Sequence, residues 1–180
     1  MAIEPPPGVR AALADWATAA VGDDPAFRLV EPAAMHLTLA FLGERPEADV
    51  ARLGPELARA LGRCEPPREA RVSAPLWLAP RRPHVLTVAV DDVSGRLSAL
   101  QSAVVTACVR AIGWEPEGRP FHPHVTVARV RRDRHVAPRE LAPLPEGARQ
   151  PWRTGAGVAL LRSSPGQGAA QYEALWGGPA

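Results

Sequence analysis

The chain contains no lysine; all twenty-one of its basic residues are arginine. Guanidinium groups and imidazoles are therefore its only cationic side chains. Only two of its 180 residues are cysteine, Cys64 and Cys108, which excludes a small scaffold stapled by disulfides. Cys108 falls in a helical apolar pattern, and both thiols read as reduced and structural. No apolar run approaches the ~20 residues needed to span a bilayer. The opening Met1-Ala2-Ile3-Glu4-Pro5 lacks the basic region and apolar core of a signal peptide. These absences predict a soluble cytoplasmic protein with no membrane partner. There is also no Gly-rich phosphate loop, no nucleophile elbow and no dinucleotide fingerprint.

Apolar residues make up 46% and charged residues 22%, which excludes general disorder. The length suits one domain, residues 1–180, read as a single two-lobed unit. Twenty-one prolines and fifteen glycines fall between periodic segments, so short elements and many loops are expected. The formal charge of +2 is too small for a general polyanion binder. Its distribution is uneven, with eight arginines against three acids between residues 119 and 153.

Periodicity predicts a helix over Pro7–Ala20, with proline in its first turn. A second covers Glu47–Leu61, where Pro55 marks a kink or break. A third, with Ser94 as its cap, carries the stripe Leu97, Leu100, Val104, Cys108 and Ala111 and stops at Gly113. Strands are expected over Phe27–Val30, Met35–Phe41, Arg71–Leu78, Val85–Val90, His124–Val130, Val158–Arg162 and Tyr172–Trp176. Several strands are adjacent without an intervening helix, which favours an α+β fold over a doubly wound parallel sheet.

One segment occurs twice. Met-His-Leu-Thr-Leu-Ala-Phe at 35–41 is echoed by Pro-His-Val-Thr-Val-Ala-Arg at 123–129, nearly half a chain away. Strand side chains alternate faces. His36, Thr38 and Ala40 therefore share one face, opposite Leu37, Leu39 and Phe41, and Phe41 is assigned to the core. His124 and Thr126 oppose Val125 and Val127 in the same way. If the two copies sit in similar lobes, their polar faces line one cleft holding two imidazoles and two hydroxyls. Those groups suit attack on a phosphodiester without a metal or cofactor, since one imidazole takes a proton from the nucleophile and the other protonates the leaving oxygen. Two ordinary strands with hydrogen-bonded surface histidines are the competing reading; a second copy in the same strand context weighs against it.

The paired motifs, with Leu37-Thr38-Leu39-Ala40-Phe41-Leu42-Gly43 after the first histidine and Arg119-Pro120-Phe121-His122-Pro123 before the second, resemble the duplicated signature of the two-histidine (2H) phosphoesterases. Within that superfamily the chain is similar to the RNA 2′,3′-cyclic phosphodiesterases, also called 2′-5′ RNA ligases (LigT-like). The resemblance implies a bilobal pseudo-symmetric α+β fold, with two antiparallel sheets facing a central cleft and helices outside. It implies hydrolysis of a 2′,3′-cyclic phosphate to a 2′-phosphate, with His36 as proton donor, His124 as proton acceptor, and Thr38 and Thr126 on the phosphate oxygens. The implied partner is RNA with a cyclic phosphate end, tRNA fragments among them, or a cyclic nucleotide, met by a monomer. Arg129 matches the arginine closing the second motif. Strict alternation turns it toward the core, where an unpaired guanidinium is not tolerated, so the strand should end or bulge there. The chain departs from the family in having only Ala2-Ile3-Glu4 ahead of Pro5, which leaves a stub of a first strand or a start further upstream. It also carries His122 where relatives often have arginine, giving a pH-dependent RNA contact.

Other readings stay open. His122 and His124 have the spacing of a metal pair on a strand, but the order of the downstream Asp133 and His135 matches no metal signature. Arg131, Arg132 and Arg134 either hold an RNA backbone at the cleft mouth or form a solvated loop. Trp77, Trp114, Trp152 and Trp176 read as packing before base stacking, and His84 as a surface residue. A different 2H activity, on small cyclic nucleotides or in reversible 2′-5′ ligation, and a non-catalytic RNA-binding module are the functional alternatives.

Overall fold

The structure, a computed structural model, describes residues 1–65, 69–79, 81–152, 157–165 and 170–177. Helices and strands follow in the order β1 (Ala2–Ile3), α1 (Pro7–Val21), β2 (Phe27–Leu29), β3 (Leu37–Thr38), α2 (Ala48–Leu61), β4 (Arg71–Leu78), β5 (Val85–Asp91), α3 (Arg96–Ile112), β6 (His124–Val130), α4 (Glu146–Arg149), β7 (Ala159–Pro165) and β8 (Ala170–Gly177). The α+β architecture is the expected one. Among the described residues no helix is long and apolar enough to cross a membrane.

The ladders are antiparallel throughout, in the order β4-β5-β6-β3-β1-β7-β8 with β2 also on β6. The two sheets expected from the repeat are thus halves of one hydrogen-bonded ladder. They join where β3 meets β6, at Leu37 opposite Val125. The join is short because β3 is only two residues long. Beyond Thr38, the amides of Leu39 and Ala40 both turn to the carbonyl of Met1, at 2.9 and 3.3 Å. The predicted seven-residue strand Met35–Phe41 is cut down for this reason, and strand alternation does not reach Phe41. That residue is 68% exposed, which corrects its assignment to the core.

The two-residue β1 is buried and paired on both edges, with β3 and β7. The edge liability of a missing strand is thereby avoided. Helix α1 begins with proline at its first position and buries Val9, Leu13, Trp16, Ala17 and Val21. Helix α2 runs through Pro55 without a break. Pro55 and Ala51, whose carbonyl loses its helical partner there, are both exposed, so water can satisfy that carbonyl. Gly54, on the buried side of α2, lies against Trp176 of β8; a Cβ there would meet the indole at 3.3 Å.

Helix α3 is held at its start by Asp92 rather than by the expected Ser94. Gly95 takes a left-handed conformation at φ 68°, and the chain folds back so that its amide donates to the Asp92 carbonyl at 3.1 Å. The Asp92 carboxylate then accepts from the amides of Leu97 and Ser98 at 2.9 and 2.8 Å and from the Ser98 hydroxyl at 2.6 Å. The Ser94 hydroxyl reaches only the Arg96 amide, at 3.4 Å. Burial alone pushes the Asp92 carboxyl up, but these donors outweigh it and hold its pKa below the usual value.

Candidate active site

The pairing of Leu37 with Val125 sets the site. Both side chains are fully buried, so the residues flanking them turn to the opposite face. Continuing the antiparallel register places His36 opposite Thr126 and Thr38 opposite His124. The two imidazoles are then diagonal neighbours on one face, with Cα atoms roughly 7 Å apart, and each has a threonine directly across from it.

The two histidines are held alike. Nδ1 of His36 donates to the carbonyl of Ala34 at 2.8 Å, and Nδ1 of His124 donates to the carbonyl of His122 at 2.7 Å. A carbonyl can only accept, so each neutral ring carries its proton on Nδ1 and leaves Nε2 as the working atom. His36 also lies edge-on to Tyr172 of β8, with ring centroids 4.8 Å apart and planes at 71°. Burial is the main cause that pushes the His36 pKa below its ordinary value. The bond to Ala34 opposes this, and the charge of Arg129 adds to it.

Arg129 reaches this face through a bulge. Thr87 of β5 pairs with Thr126, but Leu86 pairs with Ala128, so Val127 is an extra residue on β6. The bulge reverses the alternation beyond it: Val127 and Ala128 are both buried, and Arg129 emerges exposed. Of the two outcomes expected on the sequence, a strand end or a bulge, the structure has the bulge, at Val127, two residues ahead of the arginine.

A cleft is lined by His36, Thr38, Thr126 and Arg129 together with Arg28, Glu31, Ala34 and Tyr172. His124 is not part of its wall; it stands next to Thr38 at the start of β6. The sequence reading missed Arg28 and Tyr172. Tyr172 is the only tyrosine of the chain, and nothing in its spacing links β8 to the first motif. Arg28 enters because β2 pairs with the far end of β6.

The remaining candidates lie elsewhere. The side chain of His122 is exposed, and its carbonyl is occupied by His124. Nε of Arg131 donates to the carbonyl of Pro25 at 3.0 Å, tying down the turn before β2. Arg132 is exposed and lies outside the cleft wall. Arg134 pairs with Asp133 at 3.6 Å. His84 is exposed, as expected. Trp114 and Trp152 are buried; Trp77 packs on Phe27 and Trp176 on Gly54, so none of the four lines the cleft. Cys64 and Cys108 are both free thiols. Among the described residues no three His, Cys, Asp or Glu side chains converge as a metal site.

Two H-x-T segments paired side by side, with both imidazoles oriented through Nδ1 and a guanidinium nearby, form the arrangement that the two-histidine resemblance predicts. The model of the 2′-5′ RNA ligase superfamily matches residues 5–163, and the chain belongs to that family. An RNA 2′,3′-cyclic phosphodiesterase of Thermus thermophilus is 33% identical over 168 residues, covering 88% of this chain and 77% of that protein. A protein of the same name from Aeropyrum pernix is 34% identical over 109 residues, 61% of this chain. The matched stretch spans 60% of the A. pernix protein, less than two thirds of its length. Among solved structures, TT0787 of Thermus thermophilus superposes with a TM-score of 0.77 at 28% identity, covering 99% of this chain and 94% of that one. E. coli LigT complexed with 3′-AMP also gives 0.77, at 25% identity, with 98% and 95% covered.

Proposed function

We propose that the protein hydrolyses 2′,3′-cyclic phosphate ends of RNA to 2′-phosphates. The observation that carries this reading is the Leu37–Val125 pairing, which brings both H-x-T repeats onto neighbouring strands with both Nε2 atoms available. The names of the A. pernix and T. thermophilus relatives, and the 3′-AMP in E. coli LigT, support it.

In this mechanism Nε2 of His124 takes a proton from water as the oxygen attacks phosphorus. Nε2 of protonated His36 gives a proton to the 3′ oxygen as the P–O3′ bond breaks, leaving a 2′-phosphate. Thr38, Thr126 and Arg129 donate to the non-bridging oxygens, where charge builds. Burial disfavours the charged form of His36 in the empty site, and the negative charge of a bound phosphate favours it. The two lobes act together as one catalytic domain. A monomer in the cytoplasm, where thiols stay reduced, completes the reading.

The test is incubation with an oligonucleotide ending in a 2′,3′-cyclic phosphate and with a 2′,3′-cyclic mononucleotide, both in excess EDTA. The expected product is the 2′-phosphate, formed undiminished by the chelator because the imidazoles handle both protons. Activity lost to EDTA and restored by a divalent ion would overturn the metal-free mechanism. Binding without turnover of either substrate would favour the non-catalytic module, and turnover of the mononucleotide alone a small-nucleotide enzyme.

A further inference from the structure

Arg28 and Arg129 are direct partners across the β2–β6 ladder, so their side chains leave one face with Cβ atoms about 5 Å apart. Both line the cleft that holds His36. Two guanidiniums placed side by side repel, and a bound anion reverses the sign of that interaction.

Arg28 also lines a second and larger groove, together with Leu42, Arg45, Leu161, Arg162 and Ser163. The two cavities meet again on the β7–β8 hairpin, where Ser163 of the groove is the register partner of Tyr172 of the cleft. The groove is thus a continuation of the cleft, with Arg28 at the junction. Its charge is mixed: Arg162 pairs with Glu173 at 3.0 Å, and Glu44 and Asp49 also face the space. Such a lining suits a nucleoside and a single phosphate better than a long polyanion.

We propose that Arg28 binds the internucleotide phosphate on the 5′ side of the terminal nucleotide, and that the groove receives the nucleotide before it. This rests on the function proposed above and narrows the substrate to the cyclic end of an RNA chain. The cyclic phosphate belongs to the histidines, the threonines and Arg129. Arg28 meets a charge that a 2′,3′-cyclic mononucleotide does not possess.

The experiment uses two dinucleotides ending in a 2′,3′-cyclic phosphate, one joined by a phosphodiester and the other by an uncharged methylphosphonate, beside the cyclic mononucleotide. Wild-type protein should favour the charged linkage in kcat/KM by roughly ten- to a hundredfold, as a hydrogen bond to a charged group implies. Arg28→Gln should abolish that preference, and should lose more on the phosphodiester dinucleotide than on the mononucleotide. The idea is overturned if the wild type does not discriminate between the linkages, or if Arg28→Gln discriminates as well as the wild type. It is equally overturned if the variant loses as much on the mononucleotide, since Arg28 then serves the cyclic phosphate. Should Arg28→Gln not fold, the wild-type comparison still decides, with Arg28→Lys as the second variant. Wild type that hydrolyses none of the three overturns the catalytic reading instead. The Arg28 contact is then judged by equilibrium affinity for the two dinucleotides, and equal affinities would sink it.

Discussion

Leu37 faces Val125 across the β3–β6 ladder, each being the residue that follows a motif histidine. This single pairing crosses the two repeats, so that each imidazole lies opposite the hydroxyl of the other repeat. The imidazoles thereby become neighbours, with His124 the first residue of β6 and His36 one residue ahead of β3, and the buried leucine and valine hold the register.

Replacing His36 or His124 with alanine should lower turnover of a cyclic phosphate by roughly 10²–10⁴ each, the usual worth of one general acid or base. The double variant should lose less than the product of the two, because the pair acts as a unit. Thr38→Ala and Thr126→Ala should cost about 1.5–3 kcal/mol of transition-state stabilisation. Thermal melts should leave all four variants folded, since the apolar faces of β3 and β6 are untouched. A histidine variant that folds and keeps near wild-type turnover would remove that residue from the mechanism.

The half-buried position of His36 has a pH signature. Its pKa in the folded protein is lowered from 6.5, so the unfolded chain takes up this proton first as the solution is acidified. Stability contributed by neutral His36 is present above the unfolded value and is withdrawn as pH falls from there toward the folded one. His36→Gln should therefore flatten the loss of melting temperature on acidification below neutrality. In NMR titrations the His36 ring should titrate below the ordinary range and move upward when a 2′-nucleotide binds. An unchanged or lowered value on binding would contradict its role as donor.

Arg129 stands in the cleft only because Val127 bulges from β6. Arg129→Gln should lower kcat/KM on cyclic mononucleotide and oligonucleotide alike, by roughly ten- to a hundredfold. Arg129→Lys should restore only part of it, lacking the planar fork that grips two phosphate oxygens. A loss confined to the oligonucleotide would move Arg129 from the cyclic phosphate to the chain.

Asp92 should matter for stability and not for chemistry. Asp92→Ala removes the carboxylate that caps α3 and should destabilise by about 0.5–2 kcal/mol in denaturant titrations, with kcat unchanged. Its lowered pKa means that its contribution is present above the ordinary carboxylate pKa and fades as pH falls through the folded value. Ser94→Ala should be nearly silent by comparison. Equal effects of the two substitutions would restore Ser94 as the cap.

The sequence by itself determined what period and composition can carry. Helical stripes placed α1, α2 and α3 to within a residue or two, because a core-facing stripe is written locally. The repeated H-x-T segments named four polar side chains on strand faces, and the impossibility of burying Arg129 unpaired called for a strand end or a bulge near it. Tertiary structure decided the rest. Strand β3 shrank to two residues because Met1 draws the next amides away, which exposed Phe41. The cap passed from Ser94 to Asp92 because a left-handed Gly95 folded the turn back. The cleft acquired Arg28 and Tyr172 through strand partners over a hundred residues apart in one case and through a ring contact in the other. Local patterns report which face a side chain occupies; only the order and register of the strands report which faces meet.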